Sequence, residues 1–335
     1  MRAPPAGVKP PRWRRLAPLI VAAALVLAYA LWSPGREVAD GRHDRGRNAL
    51  WLQHGWLGDD AWFARNRRDP ARFRSREAVA ALAARLRAHG VTDVFPHLCP
   101  VDGDGGPAHT DDAQVERFLD GMDGVRVMPW VGGVFERHVF PDDPGFRRRF
   151  AAKVRRLLDA HPRLAGVHVN VEPWPSGHAG MLALLAELRA QMPAGAVLSV
   201  AAYPPPTRWQ PDTEIHWDLA YMARVAQASD QLAVMMYDTS IVLPKAYESL
   251  MARWTREALD ATRGRALLLG LPAYTDEGVG WHRPWVEDLP HALRGIHAGL
   301  PDRLPAQYQG VAVYAEWEMD EGEWATLRRG FLRGR

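Results

Sequence analysis

Eight short apolar runs rich in β-branched residues alternate with eight amphipathic segments along residues 49–331, which predicts an α/β protein, a (β/α)8 TIM barrel. Strand–helix–strand crossovers of this kind place neighbouring strands parallel. Polar and aromatic residues follow the runs, where the loops of such a barrel meet at one face. A doubly wound open sheet is the alternative, but the turn at 54–58, His-Gly-Trp-Leu-Gly, lacks the glycine spacing of a phosphate-binding turn.

The first 47 residues are predicted to lie outside this barrel. Residues 1–15 hold five basic side chains and no acid, and residues 16–32 carry no charge. We predict a cytoplasmic basic segment and a single-pass transmembrane signal anchor at 16–32, with the barrel on the periplasmic side of the inner membrane. Ala-Tyr-Ala at 28–30 makes a cleaved, secreted form the alternative. Residues 33–47 are predicted to be a linker and residues 48–335 the barrel domain.

The charge argues against a nucleic-acid-binding protein, and the cysteine content excludes a disulfide-stabilised or Cys-rich metal-binding protein. The chain has 42 basic and 39 acidic residues, and without the five basic residues of 1–15 the remainder has 37 basic residues. That near-neutral remainder argues against a nucleic-acid partner. Cys99 is the only cysteine, which excludes an intrachain disulfide and a Cys-rich metal site. No cofactor motif is present, and no metal or cofactor is predicted.

The strand and helix boundaries follow from apolar periodicity and from residues that begin or end helices. Strands are predicted at 49–53, 91–97, 125–130, within 164–174, 196–202, 231–236, 266–271 and 310–314. Helices are predicted at 75–89, 110–121, 142–160, 177–192, 218–228, 246–262, 285–298 and 321–331. The first helix shows the usual signals, with Ser75 as N-cap and Gly90 directly after its end.

The fourth strand carries the candidate catalytic residues. Side chains alternate along a strand, so 166, 168, 170 and 172 share one face and the valines at 167, 169 and 171 take the other. In a barrel the valines pack outward against helices, while Asn170 and Glu172 point inward. Glu172 then lies at the carboxyl end of the strand, where such barrels carry out chemistry. The alternative is a buried Glu172 paired with a basic residue.

Further polar and aromatic residues at the strand ends are candidates for ligand binding at the same face. They are Trp56, Trp130, His168, Tyr203, Tyr237, Asp238, Tyr274, Tyr314 and Glu316. Aromatic planes beside a cleft suit sugar rings, and the chain contains 14 Trp.

Four of the strands resemble those of glycoside hydrolase family 18, the chitinases and endo-β-N-acetylglucosaminidases. The family pattern Asp-Gly-x-Asp-x-Asp-x-Glu lies over 165–172, Ala-Gly-Val-His-Val-Asn-Val-Glu. Residues 231–238 follow the pattern Gln-x-x-x-Met-x-Tyr-Asp fully, and residues 269–274 match Leu-Gly-x-Pro-x-Tyr. Tyr314 stands where the family has Trp on strand eight. The resemblance covers roughly residues 164–320.

This resemblance implies a glycosidase that cleaves N-acetylhexosamine-containing glycan by a substrate-assisted, retaining mechanism. Glu172 takes the role of general acid. Asn170 orients the acetamido group together with Tyr237, and Asp238 lines the same subsite.

The departures from the family fall on the inner face of the fourth strand. Ala165, His168 and Asn170 replace three Asp of the pattern. Asn170 is compatible with the same role, because Asn-x-Glu occurs on the corresponding strand of family 85 endo-β-N-acetylglucosaminidases. A neutral His168 would hydrogen-bond Asn170, and a cationic His168 would lower the pKa of Glu172; the alternative is a core histidine.

Three alternatives stay open at this point. A conventional two-carboxylate glycosidase would use Glu172 and Glu316. A non-catalytic, membrane-tethered carbohydrate-binding barrel would keep the pocket without turnover. A metal-dependent hydrolase would use His54, His97 and His168 with Asp238. The oligomeric state, the sugar and the linkage are not indicated by the sequence.

Overall fold

The computed structural model describes residues 12–107, 110–208, 210–275, 278 and 280–334. In these residues the strands are β1 Asn48–Leu52, β2 Val91–Pro96, β3 Arg126–Val127, β4 Trp130–Val134, β5 Gly166–Glu172, β6 Val197–Ala202, β7 Gln231–Met235, β8 Ala266–Pro272 and β9 Tyr308–Tyr314. The helices are α1 Arg12–Leu31, α2 Asp60–Arg65, α3 Arg76–Ala88, α4 Asp112–Gly121, α5 Pro144–Ala160, α6 Ala179–Gln191, α7 Leu219–Ala228, α8 Pro244–Ala261, α9 Leu289–Gly299 and α10 Glu321–Gly330.

The strands form one parallel, curled sheet in the order β3-β2-β1-β9-β8-β7-β6-β5-β4. Its two outermost strands, β3 and β4, are consecutive in the chain and are separated by Met128 and Pro129. Pro129 has no N–H to donate, so a continuous ladder stops there. Across the break, β3 pairs with β2 and β4 pairs with β5, and the amide of Leu98 bonds the carbonyl of Trp130 at 2.9 Å. The arrangement is the predicted TIM-like α/β fold, with the predicted third strand divided in two.

Two apolar layers hold the sheet. The larger layer lies between the sheet and the surrounding helices and includes the outward-facing valines of β5. The smaller layer fills the interior of the curled sheet, with Trp51 and Phe95 among its large side chains. The alternation predicted for β5 therefore holds, because Val167, Val169 and Val171 pack against helices and Asn170 faces inward.

A chain of hydrogen bonds crosses this interior beneath the strand ends. Trp51 Nε1 donates to His168 Nε2 at 3.2 Å, and the other ring nitrogen of His168 lies 2.8 Å from Ser199 Oγ. Ser199 in turn donates to Gln231, whose amide donates to Asp93 Oδ2 at 3.0 Å. This order of donors requires a neutral His168 that carries its proton on Nδ1. Complete burial lowers the pKa of His168 to about 3, consistent with that state.

The N-terminal region contacts the barrel at two places. The side chain of Lys245 at the start of α8 donates to the carbonyls of Tyr29 and Ala30 in α1, at 3.0 and 2.8 Å. Within residues 33–47, predicted to be a linker, His43 is buried with its Nδ1 2.8 Å from that of His297 in α9. Among the described residues no helix combines the length and apolar character needed to cross a bilayer, so the predicted transmembrane anchor is not supported.

Candidate functional site

A hollow of about 350 Å³ opens at the carboxyl ends of the strands. Ligand sites in enzymes are commonly concave, partly apolar and of this size. Its described lining consists of Trp51, Asn170, Glu172, Met235, Tyr237, Asp238, Tyr274, Trp281, Tyr314, Trp317 and Glu318. Six of these side chains are Trp or Tyr, and three are carboxylates. The lining is therefore suited to a ring-shaped ligand with several polar groups.

Asn170 and Glu172 form a hydrogen-bonded pair inside the hollow. Asn170 Nδ2 donates to Glu172 Oε1 at 2.7 Å, and the hydroxyl of Tyr203 donates to Glu172 Oε2 at 3.4 Å. Asn170 Oδ1 is buried and accepts no hydrogen bond from the described part of the protein. A buried acceptor without a partner costs free energy, so this oxygen is a position where a bound N–H donor is favoured.

The environment of Glu172 favours its neutral form. The carboxyl is reached by solvent from the mouth of the hollow, but the strand ends and aromatic rings around it remove much of its hydration. This desolvation is the main cause that raises the pKa of Glu172. The hydrogen bond from Asn170 acts in the opposite direction, and the negative charge of Asp238 adds to the increase. A carboxyl held protonated at higher pH than usual is suited to donate a proton.

Three tyrosines surround the space beside this pair. The ring of Tyr237 stacks on that of Tyr314 with centroids 5.7 Å apart, and Tyr274 packs edge-on against Tyr314 at 5.3 Å. The Tyr274 hydroxyl donates to Asp238 Oδ1. Burial is the largest cause that raises the pKa of Tyr237 well above its usual value, so its hydroxyl remains a donor. The structure thus brings together Asn170, Glu172, Tyr237, Asp238, Tyr274 and Tyr314, with Tyr203 touching Glu172.

Four other predicted binding residues lie elsewhere. His168 and Trp130 are in the interior layer, where His168 stacks on Phe95 with centroids 3.8 Å apart. Trp56 and Glu316 line a separate cavity of about 310 Å³ bordered by α3 and α10. Glu316 was a candidate because it follows the last strand, but the strand ends at Tyr314 and the chain turns there. The hollow is consequently lined by Trp317 and Glu318 instead of Glu316.

The sequence prediction missed five residues of the lining. Trp51 and Met235 lie on inward-facing positions of β1 and β7, a signal that alternation could have given. Trp281 belongs to the long loop between β8 and α9, and its side chain is 59% exposed at the hollow. Trp317 and Glu318 follow β9. The only sequence signal for Trp281 was a Trp in the loop that follows a strand. Loops of this kind commonly carry the residues that contact ligands.

Behind the hollow, Asp238, His282 and Glu287 form a compact polar cluster. His282 Nδ1 lies 3.2 Å from Asp238 Oδ1 and 3.6 Å from Glu287 Oε2. Among the described residues this is the one group of acidic and histidine side chains whose ligand atoms are within 4.8 Å of one another. The four residues of the metal-dependent alternative are not brought together, since His168 is in the core and His54 bonds Asp59 at 2.7 Å.

A protonated His282 accounts for the geometry of this cluster. Burial alone would lower the pKa of His282, but the nearby Asp238 and Glu287 carboxylates favour the charged ring, outweigh burial and raise the pKa to about 9. His282 Nδ1 faces both carboxylates, Nε2 lies 3.1 Å from the carbonyl oxygen of Tyr274, and the ring stacks on that of Tyr274 with centroids 3.9 Å apart. We therefore assign an ion pair that fixes Asp238 and Tyr274 at the hollow.

This assignment predicts a pH dependence of stability. A folded-state pKa raised from 6.5 to about 9 contributes stability that is fully present below pH 6.5 and is lost as pH rises through 9. The loss for the native chain is on the order of 3 kcal/mol. Urea denaturation between pH 6 and 10 should show this decline, and His282→Asn should remove most of it.

The matched control is His216→Asn. Burial lowers the pKa of His216, so this ring does not lose a proton as pH rises through 9, and the decline should persist in that variant. An unchanged decline in His282→Asn would contradict the ion pair.

The chain matches solved structures but neither protein-family models nor curated proteins. The spore cortex-lytic enzyme SleL of Bacillus cereus superposes with a TM-score of 0.56 at 12% identity, over 86% of this chain and 75% of that one. A chitinase from Rhizomucor miehei gives 0.56 at 14% identity over 84% and 99%, and one from Chromobacterium violaceum gives 0.54 at 15% over 84% and 98%. At these identities the similarity shows that the chain shares their fold.

Proposed function

We propose that this protein is a glycoside hydrolase that cleaves N-acetylhexosamine-containing glycan with assistance from the substrate's own acetamido group. One observation carries the proposal. Asn170 belongs to the lining of a tyrosine-rich hollow, donates to Glu172 with its nitrogen and keeps a buried oxygen that has no partner within the described chain. That arrangement combines a carboxylic acid of raised pKa with an acceptor for an amide N–H.

The residues of the hollow act in the following order. Asn170 Oδ1 accepts a hydrogen bond from the acetamido N–H, and the Tyr237 hydroxyl donates to the acetamido oxygen. That oxygen attacks the anomeric carbon while Glu172 transfers its proton to the departing glycosidic oxygen, giving a cyclic oxazolinium and the shortened glycan. Water then attacks the anomeric carbon and returns a proton to Glu172. Two inversions leave the anomeric configuration retained.

Two lines of support come from outside the pair itself. The structural neighbours are two chitinases and a spore cortex-lytic enzyme, and their fold is shared over more than four fifths of this chain. In addition, Glu316 lines a different cavity from Glu172, which favours the acetamido mechanism over a conventional glycosidase that uses these two carboxylates. A carbohydrate-binding barrel without turnover is a second alternative, and hydrolysis assays distinguish it.

The acetamido mechanism predicts tight binding of a thiazoline analogue of the oxazolinium. The native chain should bind N-acetylglucosamine thiazoline at least 100-fold more tightly than N-acetylglucosamine, since analogues of reactive intermediates exceed ground-state ligands by about 10²-fold or more. Isothermal titration calorimetry measures both affinities.

Asn170→Ala provides the internal comparison. It should lower affinity for the thiazoline by about tenfold, the effect of one hydrogen bond. Equal affinities of the native chain for the thiazoline and the plain monosaccharide would contradict the mechanism.

A further inference from the structure

The hollow has an unbalanced distribution of charge. Glu172, Asp238 and Glu318 contribute three carboxyl groups, and none of the described lining residues is Lys or Arg. The remaining lining is aromatic apart from Asn170 and Met235. A ligand in the hollow therefore meets acidic groups without a basic side chain from that lining.

The three carboxyl groups differ in how their charge is compensated. Asp238 is paired with His282 and accepts the Tyr274 hydroxyl. Glu172 is the proton donor of the proposed mechanism and enters the reaction neutral. Glu318 is exposed and makes neither an ion pair nor a side-chain hydrogen bond within the described chain. Glu318 is thus the charge that a ligand meets uncompensated.

The loop that carries Glu318 is held in place. The amide of Glu318 donates to the carbonyl of Ala315 at 3.1 Å, and the amide of Glu316 donates to that of Trp51 at 3.0 Å. The ring of Trp317 packs edge-on against Tyr314 with centroids 5.3 Å apart. A sugar that contacts Trp317 or Tyr314 therefore lies beside the Glu318 carboxylate.

We infer that Glu318 is a specificity-determining residue that makes the hollow reject glycans bearing carboxylates and favour hexosamine units bearing a free amine. This inference rests on the proposed function, because it assumes that the hollow holds a hexosamine chain. Placing a carboxylate near the unpaired charge is repulsive, whereas an ammonium group gains attraction there. Uncharged N-acetylhexosamine oligomers are unaffected by Glu318.

The test compares three probes of equal length in Glu172→Gln, which isolates binding from turnover. The probes are N-acetylglucosamine pentamer, the same pentamer with one free amine away from the cleaved residue, and a peptide-free peptidoglycan pentamer whose muramic acid carries a carboxylate. In low salt, calorimetry should show the amine probe binding about 5-fold more tightly than the neutral one and the carboxylate probe about 10-fold more weakly. Both differences should shrink in 0.5 M NaCl.

A second charge removal tests the role of Glu318 itself. In the Glu172→Gln background, adding Glu318→Gln should reduce both ratios to within about twofold, each ratio being taken against the neutral pentamer in the same double variant. Asp260→Asn is the matched control, since Asp260 is an exposed acid paired with Arg263 at the end of α8. It should leave the ratios as they are.

The outcomes separate this inference from the proposed function. Equal binding of the three probes, or ratios unchanged by Glu318→Gln, overturns the inference even if the native chain hydrolyses the neutral pentamer. Ordered binding that Glu318→Gln abolishes supports charge selection even if the native chain hydrolyses none of the probes, a result that would overturn the proposed hydrolysis alone.

Discussion

Glu172→Gln should lower kcat for hydrolysis of N-acetylglucosamine oligomers by about 10²–10⁴-fold, the range of effects for a lost general acid. The substitution removes the transferable proton but keeps an oxygen that can accept from Asn170 Nδ2, now 2.7 Å from Glu172 Oε1. Oligomer affinity should therefore remain within a few-fold of the native value. Initial rates with a pentamer and calorimetry on the same preparation measure the two quantities.

Glu316→Gln is the matched control, because Glu316 lies on the same face of the barrel but in a separate cavity. It should retain kcat within about twofold. An equal loss in both variants would support the two-carboxylate alternative, and full activity in Glu172→Gln would exclude Glu172 as the acid.

The pH profile provides an independent readout of the same residue. Because desolvation raises the pKa of Glu172, the proton donor persists to higher pH than an ordinary carboxyl would allow. Activity is expected to fall as pH rises through that pKa, and the residual activity of Glu172→Gln should lack this fall. If Glu172→Gln showed the same fall of activity at high pH, a group other than Glu172 would be responsible for that fall.

The TIM-like fold was predictable because its signals are local. Each strand shows a short β-branched run, and helix starts such as Ser75 have the side chain that caps them, here accepting from the amide of Ala78 at 3.2 Å. The division of the third strand has its signal in Pro129, but apolar periodicity alone predicts a single strand there. Conversely, apolar composition over 16–32 suggested a membrane span that the described helix α1 does not support.

The site was predictable only as far as strand alternation extends. Asn170 and Glu172 lie on one strand, so their common face follows from spacing. The side-chain direction of Glu316 could not be predicted because the strand ends at Tyr314, and Trp281 and His282 belong to a loop without periodicity. Contacts between loops depend on tertiary structure that no single segment encodes, and the Asp238–His282–Glu287 cluster is built from such contacts.

The glycine pair at 132–133 connects the fold to the site. From sequence these residues mark the end of a strand, but in the structure they are part of β4, with Gly132 paired to Asn170. Gly132 has φ +139°, a conformation that residues with a Cβ rarely adopt. A Cβ at this position would lie 1.9 Å from the carbonyl oxygen of Asn170. Only glycine therefore permits β4 to approach the strand that carries the proposed catalytic residues Asn170 and Glu172.

Gly132→Ala should destabilise the protein by about 3 kcal/mol, combining the cost of the backbone conformation with displacement of β5. The clash is with main chain, so a change of side-chain rotamer cannot relieve it. Asn170 and Glu172 should move with the strand, and kcat should fall further than the remaining folded fraction explains. Urea denaturation gives the free energy of unfolding, and rates normalised to folded protein give the second effect.

Gly264→Ala separates the two causes of that destabilisation. Gly264 also has a positive φ, +80°, but a Cβ there would have no atom within 4 Å. This variant bears the conformational cost alone and should lose about 1 kcal/mol with unchanged kcat. If the two variants lost equal stability, the close approach of β4 to Asn170 would not be what requires glycine. If Gly132→Ala lost more stability than Gly264→Ala and also had a lower kcat, the spacing between β4 and β5 would be what positions Glu172.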